Sequence, residues 1–550
     1  MCTFFQGQKR SPRRPVGHAR PEIGVPICGL FLGVKALRCW LAVASIAIAV
    51  AAPAHGQLPT PMLPRTSEAI KIDRLEQTID AILEENRRLS QDVQGLKDRL
   101  NRRQQAAAET THGLESPATE SLHLGDNSAR SSPISVWEAT DQPAAESDEF
   151  ESFIDRFRVA YDNGFTIVPD NPEETPFSLK VNSQNMFRYD GFARGATSWI
   201  DSAGNENPIT SSSNFQIPRG RLIFSGNALL PQLSYLLNID YNTVTSNPIG
   251  FRAYELGYRF NRAVELYVGQ SKVPGSREWL ESAFSPLQGP DRTMATTFFR
   301  PSLSQGIWIM GEPVDHVYYR AMMSNGFNTI NQRPIQLDNR FCWSGTAWWE
   351  PWGDFGRGYA DLESHETPAV RLGASYTFAL GAGSQSGGDA VENALIRLSD
   401  GTLITQPGAF APGITLQKYD ISLAAIDFAF KYRGLSLSTE WYLQDLSSLA
   451  GNGPLPITST QAYGGFLQAG YFVLPQTVEL YSRASFVTGH YGSGSELAGG
   501  LNWFILPGKS NLRFTFDTAW LDNSPADQNR TGFVAGQTGL LVRSQVTVSY

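Results

Sequence analysis

The last eleven residues, Leu540-Leu541-Val542-Arg543-Ser544-Gln545-Val546-Thr547-Val548-Ser549-Tyr550, sort their side chains by position. Leu540, Val542, Val546, Val548 and Tyr550 fall on one face, where Ser544 is the single polar residue. Arg543, Gln545, Thr547 and Ser549 fall on the other. Successive side chains of a strand point to opposite sides, so this pattern writes one greasy and one wet surface into an extended backbone. It recurs at 512–520, where Leu512, Phe514, Phe516 and Trp520 oppose Arg513, Thr515 and Asp517. Earlier, Leu233, Tyr235, Leu237, Ile239 and Tyr241 oppose Ser234, Asn238 and Asp240, and Tyr254, Leu256, Tyr258 and Phe260 oppose Glu255 and Arg259. A soluble sandwich also alternates, but here bulky aromatics lie near the ends of the apolar faces. The closing aromatic strand residue fits a sheet whose first and last strands pair, and fits an open edge poorly.

Composition agrees with strands. Mean hydropathy is −0.24 with 41% hydrophobic residues, which excludes a bundle of apolar membrane helices. Aromatics reach 11%, and 50 glycines stand against 7 methionines, as strands and tight turns require. A formal charge of −8 argues against nucleic acid as a partner. Three of the four cysteines (Cys2, Cys28, Cys39) precede the expected cleavage site, leaving Cys342 alone.

Residues 1–54 read as an N-terminal extension and signal peptide. The apolar run 40–52 follows Lys35 and Arg38, is too short to span a bilayer as a helix, and leads into the small-x-small tripeptide Ala52-Pro53-Ala54. Residues 66–104 read as a coiled coil. Ile72, Ile79, Asn86, Val93 and Leu100 occupy one core position, and Leu75, Ile82, Leu89 and Leu96 the other, at a strict seven-residue spacing. Residues 105–160, rich in Ala, Ser, Pro, Glu and Asp, read as a flexible linker.

The remaining residues, 161–550, resemble the phosphate-selective porin O/P family. The resemblance rests on Tyr161-Asp162-Asn163-Gly164-Phe165, on Phe177-Ser178-Leu179-Lys180-Val181 as first strand, and on Pro218-Arg219-Gly220-Arg221-Leu222-Ile223-Phe224-Ser225-Gly226. It continues through Val268-Gly269-Gln270-Ser271-Lys272-Val273-Pro274, Ser324-Asn325-Gly326, Gly465-Phe466-Leu467-Gln468-Ala469-Gly470-Tyr471-Phe472 and Gly500-Leu501-Asn502-Trp503-Phe504. It implies an all-β fold, a 16-stranded antiparallel transmembrane β-barrel, which the α-helical coiled coil read from the heptads would precede. It further implies a homotrimer in the outer membrane, contacts with outer-membrane lipids, and passive passage of small hydrophilic solutes or ions. The coiled coil would then stand in the periplasm, with contact to the cell wall open to it.

Anion preference would need cations facing the lumen. Arg219, Arg221, Arg259, Lys272, Arg513 and Arg543 are the pore-lining candidates. From residue 177 onward, however, 26 Lys and Arg stand against 29 Asp and Glu, with only five lysines. The segment 273–300 lacks clean alternation. It either folds into the lumen as a constriction, presenting Arg277, Glu278, Glu281, Asp291, Arg292 and Arg300, or forms an external loop. The stretches 381–393 and 447–460 read as external loops.

No cofactor, metal site or enzymatic machinery is expected. Gly508-Lys509-Ser510 lacks the upstream glycine of a phosphate loop, since position 503 is Trp503, and reads as a hairpin turn. The seven histidines are scattered. A second function stays open: a structural envelope protein whose barrel anchors the coiled coil.

Overall fold

A computed structural model describes residues 156–550, apart from 173, 246–247, 333–336, 338–339 and 384–395. The expected signal peptide and coiled coil lie outside the described residues, as does the linker up to residue 155. The linker's last residues do not remain irregular: β1 (Phe157–Tyr161) and β2 (Phe165–Pro169) pair as a hairpin.

Sixteen longer strands follow, all antiparallel to their neighbours. They are β3 (Leu179–Arg194), β6 (Ser212–Ala228), β7 (Leu230–Tyr241), β8 (Ile249–Arg259), β9 (Glu265–Lys272), β10 (Leu303–Val314), β11 (Val317–Ser324) and β12 (Cys342–Trp349). The second half comprises β13 (Ala369–Gly383), β14 (Leu416–Tyr432), β15 (Leu435–Gly451), β16 (Thr460–Leu474), β17 (Val478–Gly489), β18 (Gly492–Phe504), β19 (Leu512–Asp522) and β20 (Gly539–Ser549). A small hairpin, β4 (Ser198–Ile200) with β5 (Glu206–Pro208), sits in the connection between β3 and β6. Each long strand pairs with the next, and β20 pairs with β3 from Gly539↔Arg194 to Ser549↔Gln184, so the sheet closes into a barrel. The β1–β2 hairpin adds to the start of β3 through Phe165↔Val181 and Ile167↔Leu179.

Alternation survives closure. On β15, Ser436, Ser438, Glu440, Tyr442 and Gln444 are buried inside the ring, while Leu435, Trp441 and Leu443 are exposed outside. On β20, Leu541, Arg543, Gln545 and Thr547 point inward. Aromatics bracket several outer faces: Trp343 and Trp349 on β12, and Tyr463 and Tyr471 around Leu467 on β16, are all exposed. No helix among the described residues is long and apolar enough to cross a membrane.

The two ends of the barrel differ. At one end the turns are tight: Leu229 alone (φ 68°) joins β6 to β7, and Arg433 (φ 47°) with Gly434 (φ 82°) joins β14 to β15. Positive φ at both central residues matches the twist of the strands they join. The other end carries the long connections 195–211, 273–302, 325–341, 384–415 and 523–538. Of the stretch 447–460, residues up to Gly451 belong to β15 rather than to a loop. One long connection breaks the rule: residues 350–368, between β12 and β13, leave from the tight-turn end.

Val546 pairs with Phe514 of β19 on one side and Phe187 of β3 on the other. Val546→Pro deletes a main-chain donor in a strand paired on both edges, a position where proline is not tolerated. The expected outcome is loss of the folded, heat-modifiable species on cold gels.

Candidate functional site

The interior of the barrel is crowded with charge, and the segment 273–302 sits in the middle of it. It contains two short helices, α1 (Arg277–Leu280) and α2 (Met294–Phe299). Arg277, Glu278, Asp291, Arg292 and every residue of α2 are buried. Of the two expectations for this segment, the structure takes the lumenal one.

What draws the segment inside is the supply of polar partners on the wall. The stretch 287–291 crosses four strands and offers each a carbonyl. Leu287 O accepts from Arg513 of β19 (2.9 Å), Gln288 O from Asn502 of β18 (3.0 Å), Pro290 O from Gln545 of β20 (3.1 Å) and Asp291 O from Arg483 of β17 (3.0 Å). The free N–H groups at the start of α2 find acceptors in turn. Thr293 N donates to Glu278 (3.1 Å), Met294 N to Glu496 of β18 (2.8 Å) and Ala295 N to Ser485 of β17 (2.9 Å). Carboxylates at a helix N-terminus satisfy both its orphan donors and its partial positive charge. The carbonyls at the end of α1 and just beyond are closed by Lys272, whose Nζ donates to Trp279, Leu280 and Glu281 at 2.8–2.9 Å.

The wall makes room for the segment with glycines. A Cβ on Gly464 of β16 would stand 2.7 Å from Phe299 Cε2, and one on Gly470 would collide with Gln288 and Glu479.

Asp291 serves three guanidinium groups. It pairs with Arg219 of β6, with Arg188 of β3 at 3.6 Å and with Arg292 at 3.8 Å. Burial opposes its ionisation, but the three guanidinium groups outweigh burial and hold the carboxyl well below the usual range. Asp240 of β7 serves Arg221 (3.5 Å) and Arg530. Asp517 takes Arg543 (3.0 Å), and Glu496 takes Arg483 (2.6 Å).

Cations outnumber acids around β6–β9 and α1. Arg219, Arg221, Arg252, Lys272 and Arg292 lie close enough to repel one another, with Arg300 beside Arg292 and Arg219. Only Asp240 and Asp291 pair with them there among the described residues. Nη2 of Arg221 has no hydrogen-bond partner among the described residues. Arg221 stacks on Phe284 (4.8 Å), and Arg292 on Trp279 (5.2 Å).

Of the candidates named from sequence, Arg219, Arg221, Lys272, Arg277, Arg292, Arg300 and Asp291 are brought together in this interior. Arg513 and Arg543 are buried inside on β19 and β20, which β3 separates from β6. Glu281 is part-buried and contributes its carbonyl to Lys272 and Arg292. Arg259 is a correction: it sits at the last position of β8, half-exposed beside the turn, paired with Glu265 at the rim. Sequence reading missed Arg252, which strict alternation places outside with Tyr254. The register slips there, since Asn238 pairs with Ala253 but Ile239 with Phe251, so Arg252 is the extra residue of a β-bulge. Such a bulge re-aims its side chain.

Asp291→Ala would take a carboxylate from three buried guanidinium groups, of which Arg188 keeps Asp190 and Arg292 keeps main-chain carbonyls, so that Arg219 loses most. Loss of one partner of a buried pair costs about 3–5 kcal/mol, so unfolding of the purified barrel in urea should shift to lower denaturant, whereas Asp315→Ala on the exposed rim should not move it measurably.

No family model matches the chain, and no curated protein matches it. The resemblance to the phosphate-selective porin O/P family therefore rests on the quoted motifs alone. Among solved structures, the chain is similar to an anion-selective porin from Comamonas acidovorans (12% identity, TM-score 0.42, 68% of this chain and 100% of that one). It is similar to the trimer form of OmpT, an outer membrane protein of Vibrio cholerae (12%, 0.40, 68% and 99%). It is also similar to the outer membrane channel DcaP of Acinetobacter baumannii (11%, 0.40, 68% and 97%). Likeness at that level leaves the function to the chain's own geometry.

Proposed function

We propose that this chain is an outer-membrane porin that lets small hydrophilic solutes or ions diffuse passively, with a preference for anions. One observation carries the reading: a closed 16-stranded barrel has an apolar, aromatic-bracketed exterior and a charged interior narrowed by its own loops. In a bilayer every strand group must be satisfied within the ring, and closure does that. An exposed apolar belt of this kind is stable only against hydrocarbon.

The anion preference rests on Arg219, Arg221, Arg252, Lys272, Arg292 and Arg300, against which Asp240 and Asp291 are shared with Arg530 and Arg188. Cations lining a narrow aqueous path attract and pass anions. The sequence motifs resemble those of the phosphate-selective porin O/P family, but the preference proposed is for small anions in general. A homotrimer, with the N-terminal coiled coil in the periplasm, belongs to the same reading.

A second reading is favoured by the depth of burial inside the ring. Arg543, Asp517, Glu479 and Asn502 are wholly shielded, as in a plugged barrel that anchors the coiled coil to the envelope.

Single-channel current in a planar bilayer, with reversal potentials in salt gradients, separates the two. The porin reading expects discrete current steps and an anion-favouring potential. Arg252→Gln, which removes the bulge cation, should lower the anion-to-cation permeability ratio severalfold. Silence from correctly folded protein supports the anchor instead. The membrane setting has its own test. Leu467→Arg on the outer face of β16 should cost about 2–4 kcal/mol if it lies at the bilayer midplane, measured by unfolding from lipid vesicles.

A further inference from the structure

The connection 350–368 leaves the tight-turn end of the barrel, yet it is not an exposed turn. Phe355, Tyr359, Ala360 and Asp361 are buried. It turns up into the ring and meets the segment 273–302, which comes from the opposite end. Main-chain N–H groups of Tyr359 and Ala360 donate to Pro286 O at 3.0 and 3.2 Å. Arg277 of α1 lies over the rings of Phe355 (4.9 Å) and Tyr359 (4.3 Å) and donates to Gly358 O at 3.1 Å.

Both inserts converge on one wall residue. Glu440, buried at mid-β15, accepts at Oε1 from the Glu278 main-chain N–H (2.6 Å) and from the Tyr359 hydroxyl (3.0 Å). Its Oε2 accepts from Tyr442 (2.7 Å), whose hydroxyl also lies 2.7 Å from Thr296 of α2. A carboxylate is acceptor-only with room for several donors, so a single one can serve segments that share no backbone.

We infer that Glu440 is the positioning residue of the constriction: it ties together an insert from each end of the barrel, so that neither can shift without loosening the other. This rests on reading the chain as a pore. The aperture is then a property of the pair, and the tight-turn end takes part in setting permeability. Removing the acceptor leaves a buried donor unpaired on each insert, the Glu278 N–H on one and the Tyr359 hydroxyl on the other, which is costly wherever water is scarce, whereas removing the Tyr359 hydroxyl cuts the link between them.

The test uses the full chain, folded and checked by heat-modifiable mobility, with Tyr359→Phe and Glu440→Gln as variants. Tyr359→Phe removes one oxygen atom and is chosen because it leaves packing intact if Glu440→Gln fails to fold. Hydrogen exchange is followed in 273–302 and in 350–368, alongside single-channel current. Losing a hydrogen bond to a charged group should speed opening by ~10-fold. The expected result is that Tyr359→Phe accelerates exchange in both inserts by that factor and makes the open current larger and noisier. Acceleration confined to 350–368, as a purely local role would give, overturns the inference. Unchanged exchange in both inserts of folded Glu440→Gln overturns it as well. Coupled exchange in a wild-type chain that passes no current would defeat the pore reading while leaving the coupling standing.

Discussion

Everything in this structure depends on the hydrogen-bonded seam between β20 and β3. Once Gly539–Ser549 lies against Gln184–Arg194, no strand edge of the ring is left open, and the alternation of side chains is converted from a local habit into a global partition. One set of residues faces outward as an apolar belt. The other set, which includes some of the most polar side chains in the chain, is enclosed. The enclosed set could not stay as it is without partners.

The inserts supply those partners. Arginines on β17 and β19 and amides on β18 and β20 reach four carbonyls of 287–291, while carboxylates on β15 and β18 receive main-chain donors from α1 and α2. Buried charge is tolerated where it is paired and hydrogen-bonded. The segment 273–302 therefore fits this wall by its polar groups as well as by apolar packing, with Leu287, Met294 and Phe299 in the buried core.

Much of the barrel was legible in the amino-acid pattern. The faces of β7, β19 and β20 follow the period-2 reading, and Arg219, Arg221, Arg513 and Arg543 lie inside as alternation demands. What escaped did so for physical reasons. Arg252 is displaced by a bulge, which inverts the face of one residue without any signal in hydropathy. Arg259 obeys the parity but lies at a strand end, where facing inward means facing open water. The destination of 273–302 was undetermined because its charges suit solvent and a polar interior equally. The inward course of 350–368 carries no signal in the sequence, since Pro351, Gly353, Gly356 and Gly358 are residues that exposed turns also use. Glu440 gave no sign of its role because its partners come from segments distant in sequence.

Gly464 and Gly470 give the wall a history as well as a shape. Each leaves the space into which Phe299 or Gln288 fits, so the insert and the strand behind it are complementary surfaces encoded far apart in one gene. A permeability change made by altering the insert alone meets a wall cut for its predecessor. Transplanting this loop into another barrel would require its glycines to travel with it, and drift at either partner restricts what the other can become.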